Sequence, residues 1–148
     1  MNNADTLQGY IQMFENLSET NLSEQLAPFF TPNAAFKDPF NAIHGTDNIV
    51  VIFEHMYETL HHARFEVHHS ALNGDIAYLH WTMYAQRTAS SEPFEITGLT
   101  QLHFENGLVS AHIDFWDSAQ VWHKIPGLRW LLKKLGNKLA VPEQRLKG

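Results

Sequence analysis

The sequence predicts an α+β fold in which three N-terminal helices pack on one face of a curved antiparallel sheet. Three observations carry that expectation. Apolar residues recur at helical spacing through the first 60 residues, the period changes to strand alternation after about residue 64, and Asn73-Gly74 and Asn106-Gly107 punctuate the alternating half as hairpin turns. A chain of 148 residues, 44% of them hydrophobic, has the material for one core of this kind.

In chain order, Asp5 is placed to cap a first helix, and Leu7, Tyr10, Ile11, Phe14 and Leu17 give it one apolar face. Asn21 opens a short second helix holding Leu22 and Leu26; Pro28 and Pro32 end it before an extended segment at residues 34–40. His44-Gly45-Thr46 marks the next start. Ile49, Val50, Ile52, Phe53, Met56, Tyr57 and Leu60 then form a stripe broad enough to need a sheet beneath it. Four strands are expected to follow, at residues 64–72, 76–87, 94–105 and 108–117.

Charge divides the chain at the same point where the strands end. Residues 1–117 carry three basic and fifteen acidic groups, whereas residues 118–148 carry seven basic and one acidic. The expected organisation is therefore a domain at 1–117 and a cationic tail at 118–148. In the tail, Val121, Trp122, Ile125, Leu128, Trp130, Leu131, Leu132 and Leu135 interleave with Lys124, Arg129, Lys133, Lys134 and Lys138, with a break at Pro126-Gly127. This is an amphipathic helical extension, expected to pack over the acidic body or across a dimer, with peripheral membrane contact as its other use.

Composition also excludes several classes. The acidic body repels phosphate backbones, so nucleic acid is not an expected partner. The absence of cysteine removes disulfides, thiolate ligands and a thiol nucleophile. No stretch approaches the roughly 20 apolar residues of a membrane span, and no basic-then-apolar leader opens the chain, so a cytoplasmic location is expected. Of the ten histidines, His61-His62 and His68-His69 are adjacent pairs that diverge on any regular element, and no His-Glu-x-x-His occurs. No metal or other cofactor is expected.

The chemistry-bearing stretch is Phe36-Lys37-Asp38-Pro39-Phe40 followed by Ile43-His44-Gly45. Pro39 disfavours the helical region for Asp38, so its carboxylate is held on extended chain next to apolar residues. A carboxylate in such surroundings is a better base toward a carbon acid than one in water.

Asp-Pro-Phe, then His-Gly and an amphipathic helix, resembles the catalytic-base segment of the ketosteroid isomerases, members of the nuclear transport factor 2-like superfamily. The order of elements from Leu7 to about Asp117 is similar as well. The resemblance implies a cone in which helices and concave sheet enclose a pocket for a small hydrophobic ligand, with Asp38 as the base. The last strand of that family ends in an aromatic-Trp pair, matched by Phe115-Trp116, which implies that Trp116, Asp114 and His112 line the cavity. The same alignment implies Gly98, Thr100 and Leu102 inward on the third strand, and His80, Thr82 and Tyr84 inward on the second. Leu79, Trp81 and Met83 would then form an apolar outer face suited to a homodimer. Tyr10, Phe14, Phe53 and Tyr57 from the helices would complete the ligand-binding set.

The chain also departs from the isomerase pattern. Those enzymes pair their base with an oxyanion hole made of a tyrosine and a protonated aspartic acid. Here Met13 or Phe14 stands at the tyrosine's place, with Tyr10 about one turn earlier, and Thr100 stands at that of the acid. Asp114 offers another route, because it resembles the last-strand acid of the superfamily's polyketide cyclases. The epoxide hydrolases of the superfamily need a buried Asp-Arg-Asp set, for which only Arg64 and Arg87, both near strand ends, are available. Two functions are therefore expected to compete: a cofactor-independent isomerase or cyclase using Asp38, Asp114 and His112, and a non-catalytic binding protein for a lipid-like or polyketide-like ligand.

Overall fold

A computed structural model describes residues 2–123 and 128–145 of the chain; Lys124, Ile125 and the Pro126-Gly127 break lie outside the described residues. The chain divides into two compact units, Met1–Trp116 and Asp117–Gly148.

The first unit is α+β. Helix α1 (Asn3–Glu15) is followed by α2 (Leu22–Leu26), strands β1 (Phe30–Lys37) and β2 (Ala42–His44), helix α3 (Thr46–Thr59), and four long strands. These are β3 (His61–Asn73), β4 (Ile76–Gln86), β5 (Phe94–Glu105) and β6 (Leu108–Trp116). They form one six-stranded sheet in the order β2-β1-β6-β5-β4-β3. Only β1 and β6 run parallel; the other neighbours are antiparallel. The expected sheet of four antiparallel strands thus gains two members. Residues 34–40 gave an extended reading but no pairing partner, because a parallel partner 70 or more residues away leaves no local signal.

Local chemistry explains the boundaries. Asn2, not Asp5, caps α1: its side chain accepts from the Asp5 backbone N–H at 2.9 Å. Between β3 and β4 the two loop residues are Gly74 and Asp75, one step beyond the expected Asn73-Gly74 pair, and of the two only Gly74 has positive φ (62°), as a type II′ turn requires. Between β5 and β6, Asn106 (φ 52°) and Gly107 (φ 78°) make the type I′ pattern.

The core lies between the helices and one sheet face. Leu7, Tyr10 and Phe14 of α1 and Ile49, Val50 and Phe53 of α3 are buried, as are Leu79, Trp81, Met83, Ile96, Leu102 and Val109 of the sheet. Strand β4 therefore faces the opposite way from expectation. Leu79 pairs with Thr100 and Trp81 with Gly98, so these residues share the inner face, while His80 pairs with Leu99 on the outer one. A one-residue change in register flips every side chain of a strand. The apolar outer surface expected of Leu79, Trp81 and Met83 is thus core, and the outward residues of β4 are Tyr78, His80, Thr82 and Tyr84.

Candidate active site

Beneath α1 and α3, the inner sheet face bounds a cavity of about 40 Å³, room for about three water molecules. Tyr10, Phe14 and Phe53 line it from the helices, Phe65 and Val67 from β3, and Leu79 and Trp81 from β4. Its polar wall consists of Thr100 on β5 and His112 and Asp114 on β6. Thr100 and Asp114 are directly paired across the two strands, and His112 is two residues from Asp114, so pleating puts all three on one side.

These groups form one chain of hydrogen bonds. The Trp81 indole N–H donates to Thr100 Oγ1 at 2.8 Å, and Thr100 donates to Asp114 Oδ1 at 2.5 Å. From the other side, His112 Nε2 lies 2.8 Å from the same Oδ1, and the Tyr10 hydroxyl lies 2.5 Å from His112 Nδ1. Donor chemistry fixes the polarity. An indole N–H only donates, so Thr100 must send its proton on to the carboxylate. A carboxylate only accepts, which places a histidine proton on Nε2, and in the neutral imidazole this leaves Nδ1 to accept from Tyr10. Every proton in the chain thus points toward Asp114. Its second oxygen, Oδ2, takes part in none of these bonds, and the Asp114 side chain keeps 15% of its exposure.

Packing locks the imidazole. Phe36 of β1, paired in register with His112, stacks on it with centroids 4.8 Å apart and planes 21° from parallel. Phe14 and Tyr10 approach from the helix side at 5.8 and 6.1 Å. Tyr10 is wholly buried, and burial, reinforced by the Asp114 charge, raises its pKa well above the ordinary tyrosine value. Its hydroxyl stays a donor.

Of the residues singled out from sequence, Tyr10, Phe14, Phe53, Thr100, His112 and Asp114 come together around this cavity. Asp38 does not line it. Its Oδ1 accepts from the backbone N–H of Phe40 (2.7 Å) and of Asn41 (2.6 Å), and the Asn41 side-chain amide reaches both oxygens at 3.1 Å. The Asp38 backbone N–H in turn donates to Asn41 O at 2.9 Å. The acid before Pro39 closes the β1–β2 connection as an Asx turn, the use that Asp-Pro serves in many chains.

Trp116 lies on the inner side of β6 opposite Gly98, but its ring packs edge-on against Phe40, at 5.4 Å, outside the cavity lining. Tyr57 also lies outside the lining: its hydroxyl donates to Leu17 O at 3.1 Å, and burial, with Glu19 adding, pushes its pKa up to about 12. His80 stacks on His69 on the outer face, centroids 5.8 Å apart and planes 2° from parallel. Its assignment to the ligand set is corrected by the β4 register.

Sequence reasoning missed Phe65, Val67, Leu79 and Trp81. Placing β4 the other way round would have found Leu79 and Trp81 directly, and Phe65 and Val67 through their pairing with it. Phe65 pairs with Met83 and Val67 with Trp81, so one register decides both strands. Among the described residues no cluster of three or more histidine or acidic side chains is arranged to hold a metal ion.

Comparison with solved structures places the fold. A proposed SnoaL-like polyketide cyclase from Jannaschia sp. CCS1 is 12% identical, with a TM-score of 0.74 over 84% of this chain and 94% of that one. A protein of ketosteroid isomerase-like fold from Catenulispora acidiphila is 11% identical, with a TM-score of 0.70 over 82% and 92%. AclR, a proposed hydroxylase from Streptomyces galilaeus, is 17% identical, with a TM-score of 0.68 over 93% of each chain. At these identities the likeness concerns fold alone. Comparison with curated protein sequences gives no match. Residues 10–112, more than half of the chain, match the family model described as the SnoaL-like domain, and the chain belongs to that family.

Proposed function

We propose that this SnoaL-like protein is a cofactor-independent acid–base enzyme that moves a proton on a small hydrophobic carbonyl compound held against Asp114. One observation carries the reading: four side chains are linked in a hydrogen-bond chain whose donors all lead to one oxygen of Asp114 at the wall of an apolar cavity. Oδ2 is left as the oxygen that meets a ligand. A proton α to the carbonyl passes to Oδ2, and the electron pair of the broken C–H bond moves onto the carbonyl oxygen. Return of the proton at another carbon is isomerisation; attack of the enolate carbon on a second carbonyl carbon of the same molecule, whose C=O π pair moves onto its oxygen and takes up the proton from Asp114, is cyclisation. His112 and Thr100 act on Oδ1, fixing the carboxylate's orientation before substrate arrives.

The oxyanion needs a donor. Tyr10 fits, because its raised pKa keeps it protonated and its hydroxyl reaches His112 on the cavity wall. It has to exchange that bond for one to substrate, a rearrangement common when an empty site fills. A ligand larger than a few waters also has to displace lining side chains, since the cavity is about 40 Å³.

A second reading, a non-catalytic carrier of hydrophobic ligands, is favoured by one specific feature. The hydroxyl protons of Tyr10 and Thr100 are both already committed, to His112 and Asp114. Solvent deuterium incorporation into a panel of cyclic ketones and enones separates the two. The acid–base reading expects exchange with the native protein, loss of exchange in Asp114→Asn, and retention in Asp38→Asn. Saturable binding of a ketone with no exchange would establish the carrier instead, and loss in Asp38→Asn alone would move the base to Asp38.

A further inference from the structure

We propose that helix α5 (Leu128–Leu139) docks on the surface of an anionic lipid bilayer. No residue of this helix is buried, and it holds four basic side chains and no acidic one. At 3.6 residues per turn, Leu128, Leu131, Leu132, Leu135 and Leu139 fall within an arc of roughly 100°. Arg129 and Lys133 follow one edge of that arc, and Lys134 and Lys138 the other. Leu131, Leu135 and Leu139 are exposed.

The pattern selects its partner. A leucine strip with cations along both edges matches a surface that offers an apolar phase beneath a plane of negative charge, into which lysine stems can lie while their ammonium groups stay at headgroup level. Twelve residues rise about 18 Å, short of the roughly 30 Å hydrocarbon layer, so the helix lies in the interface plane and does not cross it. Trp130 stands on the polar side, 66% exposed, with the Lys134 ammonium 5.2 Å from its ring centre. It therefore takes no part in the inserted strip. The competing occupant is the chain's own acidic body, which carries fifteen acidic groups against three basic ones over residues 1–117.

The test is co-sedimentation of the full chain with vesicles of phosphatidylglycerol and phosphatidylcholine in equal parts, and with phosphatidylcholine alone, at low and high salt. The expected result is binding to the anionic vesicles only, released by salt. Lys133→Glu/Lys134→Glu is expected to weaken binding at least about tenfold, since each basic residue near the surface contributes severalfold. Leu131→Gln/Leu135→Gln is expected to abolish it with the charges intact. Protein that stays in the supernatant with both vesicle types would overturn the proposal in favour of the tail covering the acidic body. Equal binding to both vesicle types, or unchanged binding by either variant, would overturn it as well.

Discussion

Thr100 and Asp114 stand opposite each other on paired strands, and the threonine hydroxyl donates to the aspartate Oδ1 over 2.5 Å. The same hydroxyl oxygen accepts the Trp81 indole N–H. One methyl-sized polar group therefore serves two partners in a site where water has little access.

Thr100→Val keeps the shape and removes both bonds, leaving a buried indole N–H unpaired. A loss of about 1–3 kcal/mol is expected from that orphaned donor, read as a lower urea midpoint at unchanged slope. Thr100→Ser is expected to restore most of it, and equal stability of Thr100→Val and wild type would remove the bond's claim to matter.

Gly98 lies against the face of this arrangement. A Cβ built there would sit 2.6 Å from Trp81 Cζ2 and 2.7 Å from Cη2, closer than carbon atoms approach. Gly98→Ala must therefore shift the indole and stretch its bond to Thr100. A destabilisation of about 1–3 kcal/mol with an altered near-UV tryptophan signal is the expected outcome, typical of an overpacked core.

Alkaline pH probes the buried tyrosine. The folded-state pKa of Tyr10 is raised well above its ordinary value by burial first and by Asp114 second. Below about pH 10 both folded and unfolded chains keep the proton, and the group makes no pH-dependent difference. Above it the unfolded chain ionises first, so stability falls as pH rises, by at most about 1.4 kcal/mol per pH unit for this one proton. Tyr57, shifted to about 12, adds to the slope in the same direction up to that value. Urea midpoints at pH 9, 10 and 11 should fall less steeply in Tyr10→Phe than in wild type; parallel curves would mean that Tyr10 ionises freely in the folded chain.

Asp38 is expected to matter for the turn. Asp38→Ala loses acceptors for two backbone N–H groups and the Asn41 amide, at a cost of about 1–2 kcal/mol in thermal or urea unfolding. Asp38→Asn retains an acceptor oxygen and is expected to lose less than half of that. A larger loss in the amide variant than in the alanine variant would show that charge, not the turn bond, is what the position supplies.

Much of this protein was determined by its sequence alone. Helix periods around Tyr10 and Phe53, strand alternation in β3 to β6, and the turn residues Gly74, Asn106 and Gly107 are local properties, and local backbone preferences express them wherever they occur. They suffice for the fold class; six of the ten cavity-lining residues were reached only with the resemblance to the ketosteroid isomerases, which chose the inward faces of β5 and β6. Tertiary structure alone decided the rest. Whether Trp81 or His80 faces inward depends on the pairing of Leu79 with Thr100 across the residue 87–93 connection, and a period of two cannot choose between faces. The partnership of Tyr10 with His112 spans 102 positions of sequence, so no local pattern announces it. Asp38 and Asp114 were both legible as candidate acids; only the fold showed one closing its own turn and the other receiving a chain of donors from four elements, α1, β4, β5 and its own β6, because hydrogen-bond partners are chosen by proximity in space.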